Sequence, residues 1–203
     1  MARTSTTANA VLGLLALRTR WSTWELATQL RRNLRFFWPR AESRVYDVVK
    51  ELAAAGSATA EQSFTGRRAR TTYAITPAGR KRLRAWLAQP PRRTTLECEA
   101  VLRILLADLC THEQLLTALD RVRADADAIQ DVGRIVAAEY TAGAAPFQDD
   151  VHARALVFDF LWTHAEQLRA WADRAEERIA RWPAETRSER AEAGVASIAR
   201  RVG

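Results

Sequence analysis

The stretch that decides the fold runs Ser57-Ala58-Thr59-Ala60-Glu61-Gln62-Ser63-Phe64, then Thr65-Gly66-Arg67-Arg68-Ala69, then Arg70-Thr71-Thr72-Tyr73-Ala74-Ile75-Thr76. Two short runs rich in Thr, Tyr and Ile flank a segment whose glycine permits a tight turn, the pattern of a β-hairpin with a basic tip. A helix start follows at once in Thr76-Pro77-Ala78-Gly79. Thr76 is placed to cap it, and Pro77 takes the first helical position, where its missing N–H costs nothing. Leu83, Trp86 and Leu87 share one face of that helix.

Upstream of the hairpin the apolar residues recur at helical spacing. Ser5, Thr6 and Thr7 offer N-caps for a first helix carrying Ala8, Val11, Leu12, Leu15 and Ala16 up to Leu17. Ser22-Thr23-Trp24-Glu25 is a capping box opening a second helix to about Asn33, because the Ser hydroxyl and the Glu carboxylate can each satisfy the other's end of the first turn. Pro39 interrupts the apolar patch Phe36-Phe37-Trp38, and a third helix follows with Val45, Val48, Val49 and Leu52 on one face and Gly56 as its C-terminal stop. Trp38 and Trp86 are expected in the core. Three helices, a two-stranded hairpin and a fourth helix are the layout of a winged helix-turn-helix, in which helix three enters a major groove and the hairpin rests on the DNA backbone or in the minor groove.

The charge distribution agrees with that layout. Residues 1–93 hold 18 Lys/Arg against 5 Asp/Glu, a balance of +13, while residues 94–203 hold 13 against 19, or −6. A basic piece joined to a mildly acidic one points to a polyanion as partner of the first half only. Stepping helix three by 100° per residue sets Ser43, Asp47 and Lys50 opposite its apolar side, flanked by Arg40, Arg44 and Tyr46. The candidate DNA-contacting residues are therefore Arg40, Ser43, Arg44, Tyr46 and Lys50 from helix three, with Arg67, Arg68 and Arg70 from the hairpin. Asp47 would repel phosphate unless it accepts from a cytosine amine or pairs with Arg44 or Lys50, so no base is assigned to it.

The second half reads as all helical. Thr94 and Glu97 form a possible capping box for a helix through Val101, Ile104, Leu105 and Leu109. If that helix is continuous, Cys98 and Cys110 lie about 18 Å apart along it, too far to bridge, and are free thiols of a reducing compartment. A long helix from about Thr111 to Tyr140 repeats Leu115, Val122, Ile129 and Val136 every seven residues, and Gly143 to Pro146 break it. A last long helix, about 148–182, places Phe158, Ala165, Ala172 and Ile179 at one heptad position and Leu161, Leu168, Ala175 and Trp182 at another. Such heptads form either a coiled-coil seam between two copies or a bundle core within one chain. The candidate dimerisation residues are Phe158, Leu161, Ala165, Leu168, Ala172, Ala175 and Ile179. Trp162 and Trp171 lie on or beside the seam and are candidates for stacking a flat aromatic effector, against the plainer alternative that these indoles pack.

Several blocks of this chain resemble the PadR-like transcriptional regulators: Val11-Leu12-Gly13-Leu14-Leu15-Ala16-Leu17, Phe37-Trp38-Pro39 with Ser43-Arg44-Val45-Tyr46, and Tyr73-Ala74-Ile75-Thr76-Pro77-Ala78-Gly79-Arg80 with Leu83, Trp86 and Leu87. The similarity covers about residues 8–88. The chain departs from the family in Thr23-Trp24, where many members carry Gly-Tyr, and in Arg44, where many carry a small residue or Ser; these changes bear on the target sequence. The resemblance implies a repressor that releases DNA when a small molecule binds.

The expected fold class is mainly α with a small two-stranded β-wing: a winged helix-turn-helix domain at 1–91, a helical, coiled-coil-like dimerisation domain at 92–183, and a tail at 184–203. The expected partners are double-stranded DNA bearing an inverted repeat, a second copy of the chain, and an aromatic or hydrophobic small-molecule effector; no cofactor and no metal is expected. The alternative is a winged-helix protein-interaction or non-specific nucleic-acid-binding module without an effector. His112, His152 and His164 have no metal-ligand spacing, and the chain has no phosphate-binding glycine loop and no nucleophile motif, which argues against an enzyme. The longest uncharged apolar run, Ala10 to Leu17, is far short of the roughly 20 residues that span a bilayer, so a cytoplasmic protein without membrane attachment is expected.

Overall fold

The computed structural model describes residues 5–39, 44–65 and 68–202, and their side chains apart from those at 33, 63–65, 68 and 69. The chain divides into two compact units, Met1–Thr94 and Thr95–Gly203.

In the first unit α1 (Thr6–Leu17) leads through β1 (Trp21–Ser22) into α2 (Thr23–Leu34), α3 (Val45–Ala54), β2 (Ala58–Thr65), β3 (Arg68–Ile75) and α4 (Pro77–Leu87). The helix periodicity translates directly into a core. Val11, Leu12 and Leu15 of α1, Leu26 and Leu30 of α2, and Val45, Val48, Val49 and Leu52 of α3 are buried together with Trp21, Ala58 and Tyr73. Each such aliphatic side chain removed from water contributes about 1.5–3 kcal/mol. The indole at the centre is Trp21; Trp38 is 37% exposed and donates from Nε1 to Thr7 Oγ1 at 3.3 Å, and Trp86 is half-buried, so neither fills the core as the sequence suggested.

The sheet is antiparallel with order β1-β3-β2, one strand more than the expected pair. β1 is only two residues long and exists through its partners, Trp21 opposite Tyr73 and Ser22 opposite Thr72. β2 and β3 pair from Ala58–Ile75 out to Thr65–Arg68, so the strands take in Thr65, Arg68 and Ala69, which the sequence suggests for the tip; residues 66 and 67 lie outside the described residues.

The joint between α3 and the wing follows from local chemistry. Gly56 takes φ +68°, a left-handed conformation open to glycine at little cost. Its N–H bonds to Ala53 O at 3.0 Å while that of Ser57 bonds to Leu52 O at 2.9 Å, which closes the end of α3 as a Schellman motif. At the far end of the hairpin Thr76 Oγ1 accepts from Gly79 N at 3.0 Å and donates to Gly56 O at 2.7 Å, tying the start of α4 to the end of α3.

In the second unit α5 (Glu99–Leu105), a 3-10 turn at Ala107–Leu109, α6 (His112–Thr141), α7 (Val151–Ile179), a 3-10 turn at Trp182–Ala184 and α8 (Arg187–Val202) follow in order. Residues Thr94 and Glu97 lie ahead of α5, which starts after Cys98 without a side-chain cap; the working capping box is Thr111 with Gln114, at the head of α6. Because α5 ends at Leu105, the continuous helix that would separate the two cysteines does not form. Both thiols are free and pack against the same cluster, built on Leu115, Leu119, Val122, Ala172 and Ile179. The tail beyond Pro183 is helical, with Val195, Ile198 and Val202 exposed along α8.

Candidate nucleic-acid interface

α3 turns one side to the core and leaves the other in water. Val45, Val48, Val49 and Leu52 are at most 2% exposed, whereas Tyr46 is 50% exposed and Asp47, Lys50 and Glu51 are exposed. Arg44 occupies the N-cap position without a capping bond and forms an ion pair with Glu51 at 3.6 Å. Asp47 sits in the first turn, where the unpaired N–H groups of the helix end favour a carboxylate, so its presence has a structural cause besides any contact to a base. Of the sequence-derived DNA-contacting set, Arg44, Tyr46, Lys50 and Arg70 are exposed, Arg40, Ser43 and Arg67 lie outside the described residues, and for Arg68 the backbone alone is described.

The middle and outer part of the wing is braced against the segment that opens α2. Glu25 lies at the third position of α2, where its carboxylate accepts from Ser22 N at 2.7 Å and from Ser22 Oγ at 2.6 Å, while Glu25 N donates to Ser22 Oγ at 3.2 Å. The same carboxylate accepts from Arg70 Nη2 at 3.1 Å and from Arg18 Nη1 at 3.3 Å. The Ser22 hydroxyl above all holds the Glu25 carboxyl below its ordinary pKa; burial, the next-largest effect, opposes it, and the Ser22 N–H and the Arg70 cation add to the lowering. A second brace joins Arg20 to Glu61 of β2 by two hydrogen bonds, that from Nη2 at 3.0 Å. Glu61 faces Thr72 across the ladder and Arg70 stands two residues from Thr72, so both braces engage one face of the hairpin. Trp24, next to Glu25, is 70% exposed. Sequence spacing missed Arg18, Arg20, Glu61 and the second role of Glu25, because their partners are distant in the chain; the capping box was the one signal that pointed at Glu25.

The heptad residues of α7 lie against α6 of the same chain. Ala165, Ala172 and Ile179 are at most 2% exposed, and Arg123 of α6 holds Asp173 at 2.9 Å, Asp120 at 3.0 Å and also Glu176. Leu168 and Ala175 pack on the cluster of α5 to α7, while Phe158 stacks on Trp162 with ring centroids 5.6 Å apart. The seam is thus occupied from within the chain. Trp162 donates to Glu166 at 2.9 Å and Trp171 joins the cluster. A separate open cleft of about 280 Å³ lies at Cys110, His112, Leu115, Trp182, Pro183 and Arg190. Apolar side chains left uncovered include Leu102, Leu105, Leu106 and Leu109 at α5 and Leu156 and Phe160 on α7.

Among the described residues no helix is long and apolar enough to cross a membrane, and no group of three or more His, Cys, Asp or Glu could hold a metal ion.

Residues 11–85 match the transcriptional regulator PadR-like family, a family of regulators and not of enzymes. No curated protein sequence matches the chain. A PadR-like transcriptional regulator from Bacillus cereus superimposes with a TM-score of 0.70 at 14% identity, over 86% of this chain and 98% of that one. Bacillus subtilis PadR in complex with operator DNA gives 0.69 at 19% identity, over 86% and 99%. The same protein in complex with p-coumaric acid gives 0.64 at 18%, over 88% and 99%. The wing-bearing unit is PadR-like in sequence, and the chain has the PadR fold: winged helix followed by a helical unit.

Proposed function

We propose that this PadR-like chain is a homodimeric, sequence-specific DNA-binding regulator of transcription in the cytoplasm, a repressor that leaves its operator when a small molecule binds. The observation that carries the reading is the two-sided character of α3. Its apolar side is sealed in the core, and Tyr46 and Lys50 stand on the open side with Arg44 at its leading end, groups suited to base edges and phosphates. α3 is the recognition helix; Arg40 and Ser43 precede it, and Arg67 and Arg68 at the wing tip supply phosphate contacts.

Two copies would set their recognition helices in successive major grooves of an inverted repeat, with half-site centres about 10 bp apart or a multiple of that. Pairing through the uncovered leucines of α5 and the 3-10 turn after it is supported by their exposure, 79% at Leu105 and 83% at Leu109, since clustered exposed apolar surface marks an interaction site. Release by an effector is supported by the p-coumaric acid complex of the Bacillus subtilis protein. In this chain Trp162 and Trp171 remain the candidate walls for a flat effector, and the cleft beside Trp182 offers another aromatic wall.

The test is a titration of the DNA upstream of the chain's own gene, with and without excess random duplex, for the wild type and for Arg67→Ala/Arg68→Ala. Specific binding survives the competitor, with two chains per site by sedimentation. The double variant weakens binding to every sequence and flattens the plot of log K against log salt by about 0.9 per lost contact. Binding that random duplex competes away would instead make the chain a non-specific cation face.

A further inference from the structure

Glu25 performs two tasks that conflict in a protein built to attract phosphate. As the third residue of α2 it completes the capping box, for which Gln serves as well as Glu. As a carboxylate it engages two arginines, Arg18 and Arg70, on the basic unit of the chain. The cap explains the position of the side chain, but it does not require the charge. Arg70 extends from the half of β3 nearest the tip, opposite Ser63, at 52% side-chain exposure, and Arg18 at 45% also stacks on Trp21, 4.3 Å from guanidinium carbon to ring centroid. Both cations are directed by bonds to Glu25, which is only 28% exposed. The Arg20–Glu61 pair repeats the arrangement with reversed polarity, the arginine now on the α2 side and the carboxylate on the wing.

Resting on the DNA-binding reading, we infer that Glu25 is a positioning residue that keeps Arg70 and Arg18 off phosphate, so that the wing is braced against the start of α2 without adding sequence-blind attraction. Phosphate contacts are the part of the binding energy that every duplex offers alike, and each contact raises affinity for random and operator DNA together. A carboxylate that occupies two arginines lowers this common part. It thereby lowers the chain's affinity for any duplex, random or operator.

The test uses Glu25→Gln in the full chain, which keeps the cap and deletes the charge. On random duplex the slope of log K against log salt steepens by about 0.9 for each arginine released, and affinity at 0.1 M salt rises roughly tenfold per contact. Operator affinity rises by a similar factor, because a phosphate contact is common to both duplexes. Arg70→Ala in the wild-type background leaves the slope unchanged, and added to Glu25→Gln it removes one of the new contacts, whereas Arg70→Lys retains it. A merely structural role for Glu25 would move the melting temperature and leave the slope alone. An unchanged slope in Glu25→Gln, or a flatter one in Arg70→Ala alone, overturns the inference while the DNA-binding reading stands. A wild-type chain that binds no duplex at low salt overturns both.

Discussion

Replacing Gly79 with alanine tests the joint on which the wing depends. A Cβ at this position would stand 2.0 Å from Ser57 O and 3.0 Å from both Ser57 C and Ile75 Cγ1. Two of these atoms are backbone, so no side-chain rotation relieves the contact, and reaching even 3.0 Å requires α4 and the start of β2 to separate by about 1 Å. That movement strains the Thr76 N to Ser57 O bond, 3.2 Å long, and the two bonds through Thr76 Oγ1. Overpacking costs about 1–3 kcal/mol. Loss of one hydrogen bond adds about 1 kcal/mol, and the better helix propensity of alanine returns about 1 kcal/mol. The net is a loss of about 1–3 kcal/mol, or roughly 5–20 °C in the melting temperature of a unit this size. Gly13→Ala in α1 is the matched control, because nothing lies within 4 Å of its Cβ. It should stabilise the same unit by about 0.5–1 kcal/mol. Calorimetry of the full chain, with hydrogen exchange of peptides spanning residues 56–80, measures both. If the two variants shift stability in the same direction, the close approach of α4 to Ser57 is not a constraint on the fold.

Two further substitutions probe the units separately. Asn9 of α1 is fully buried, and among the described residues neither its amide nitrogen nor its amide oxygen has a hydrogen-bond partner, so Asn9→Leu should raise the stability of the first unit by about 1–2 kcal/mol in thermal unfolding; a fall would mean that the amide is satisfied. Arg123 binds carboxylates on both α6 and α7 at 20% exposure, and Arg123→Met should cost the second unit about 1–2 kcal/mol, a value discounted because Asp173 and Glu176 are about half exposed. Arg123→Lys should recover only part of this, since an ammonium cannot fork between carboxylates, and full recovery by Lys would refute the bidentate account.

What could be read from the sequence was what neighbouring residues decide among themselves. The Ser22–Glu25 box, the Thr76 cap with Pro77, and Gly56 at the end of α3 each act within about one turn of helix, and all three stand where the sequence placed them. β1 escaped notice because two residues make a strand only when a partner some fifty positions away lies beside them. The box expected at Thr94 and Glu97 went unused for the opposite reason. A capping pattern is short enough to occur without a helix, and α5 begins instead at Glu99, with Ala100 packed into the α6–α7 cluster. In the candidate interface, the two sides of α3 followed from periodicity, whereas the partners of Arg20 and Arg70 lie 41 and 45 residues away and no spacing rule reaches them.

The heptads of α7 show where periodicity stops being informative. A seven-residue repeat of apolar side chains states that one face of a helix will be covered, and alanines at 165 and 172 state that the cover comes close. Neither states whose helix provides it. That choice is made by effective concentration: a segment tethered through a short connection meets its neighbour at millimolar levels, far above the concentration of a second copy in a cell. Here α6 carries its own repeat, Leu115, Val122 and Ile129, and the corner from Ala142 to Asp150 returns the chain antiparallel to it. Arg123 then meets Asp173 and Asp127 meets Arg169, which fixes the register with pairs within one chain. The leucines of α5 have no such tethered partner. Val101, Leu102 and Leu105 occupy a seven-residue helix, with Leu106 just past its end, that offers only Ala100 to the cluster as a buried side chain. Exposed apolar side chains thus remain on this short helix, which carried no repeat for the sequence to show, and also at Ile135 of α6 and at Leu156 and Phe160 of α7, off the face that the two repeats share.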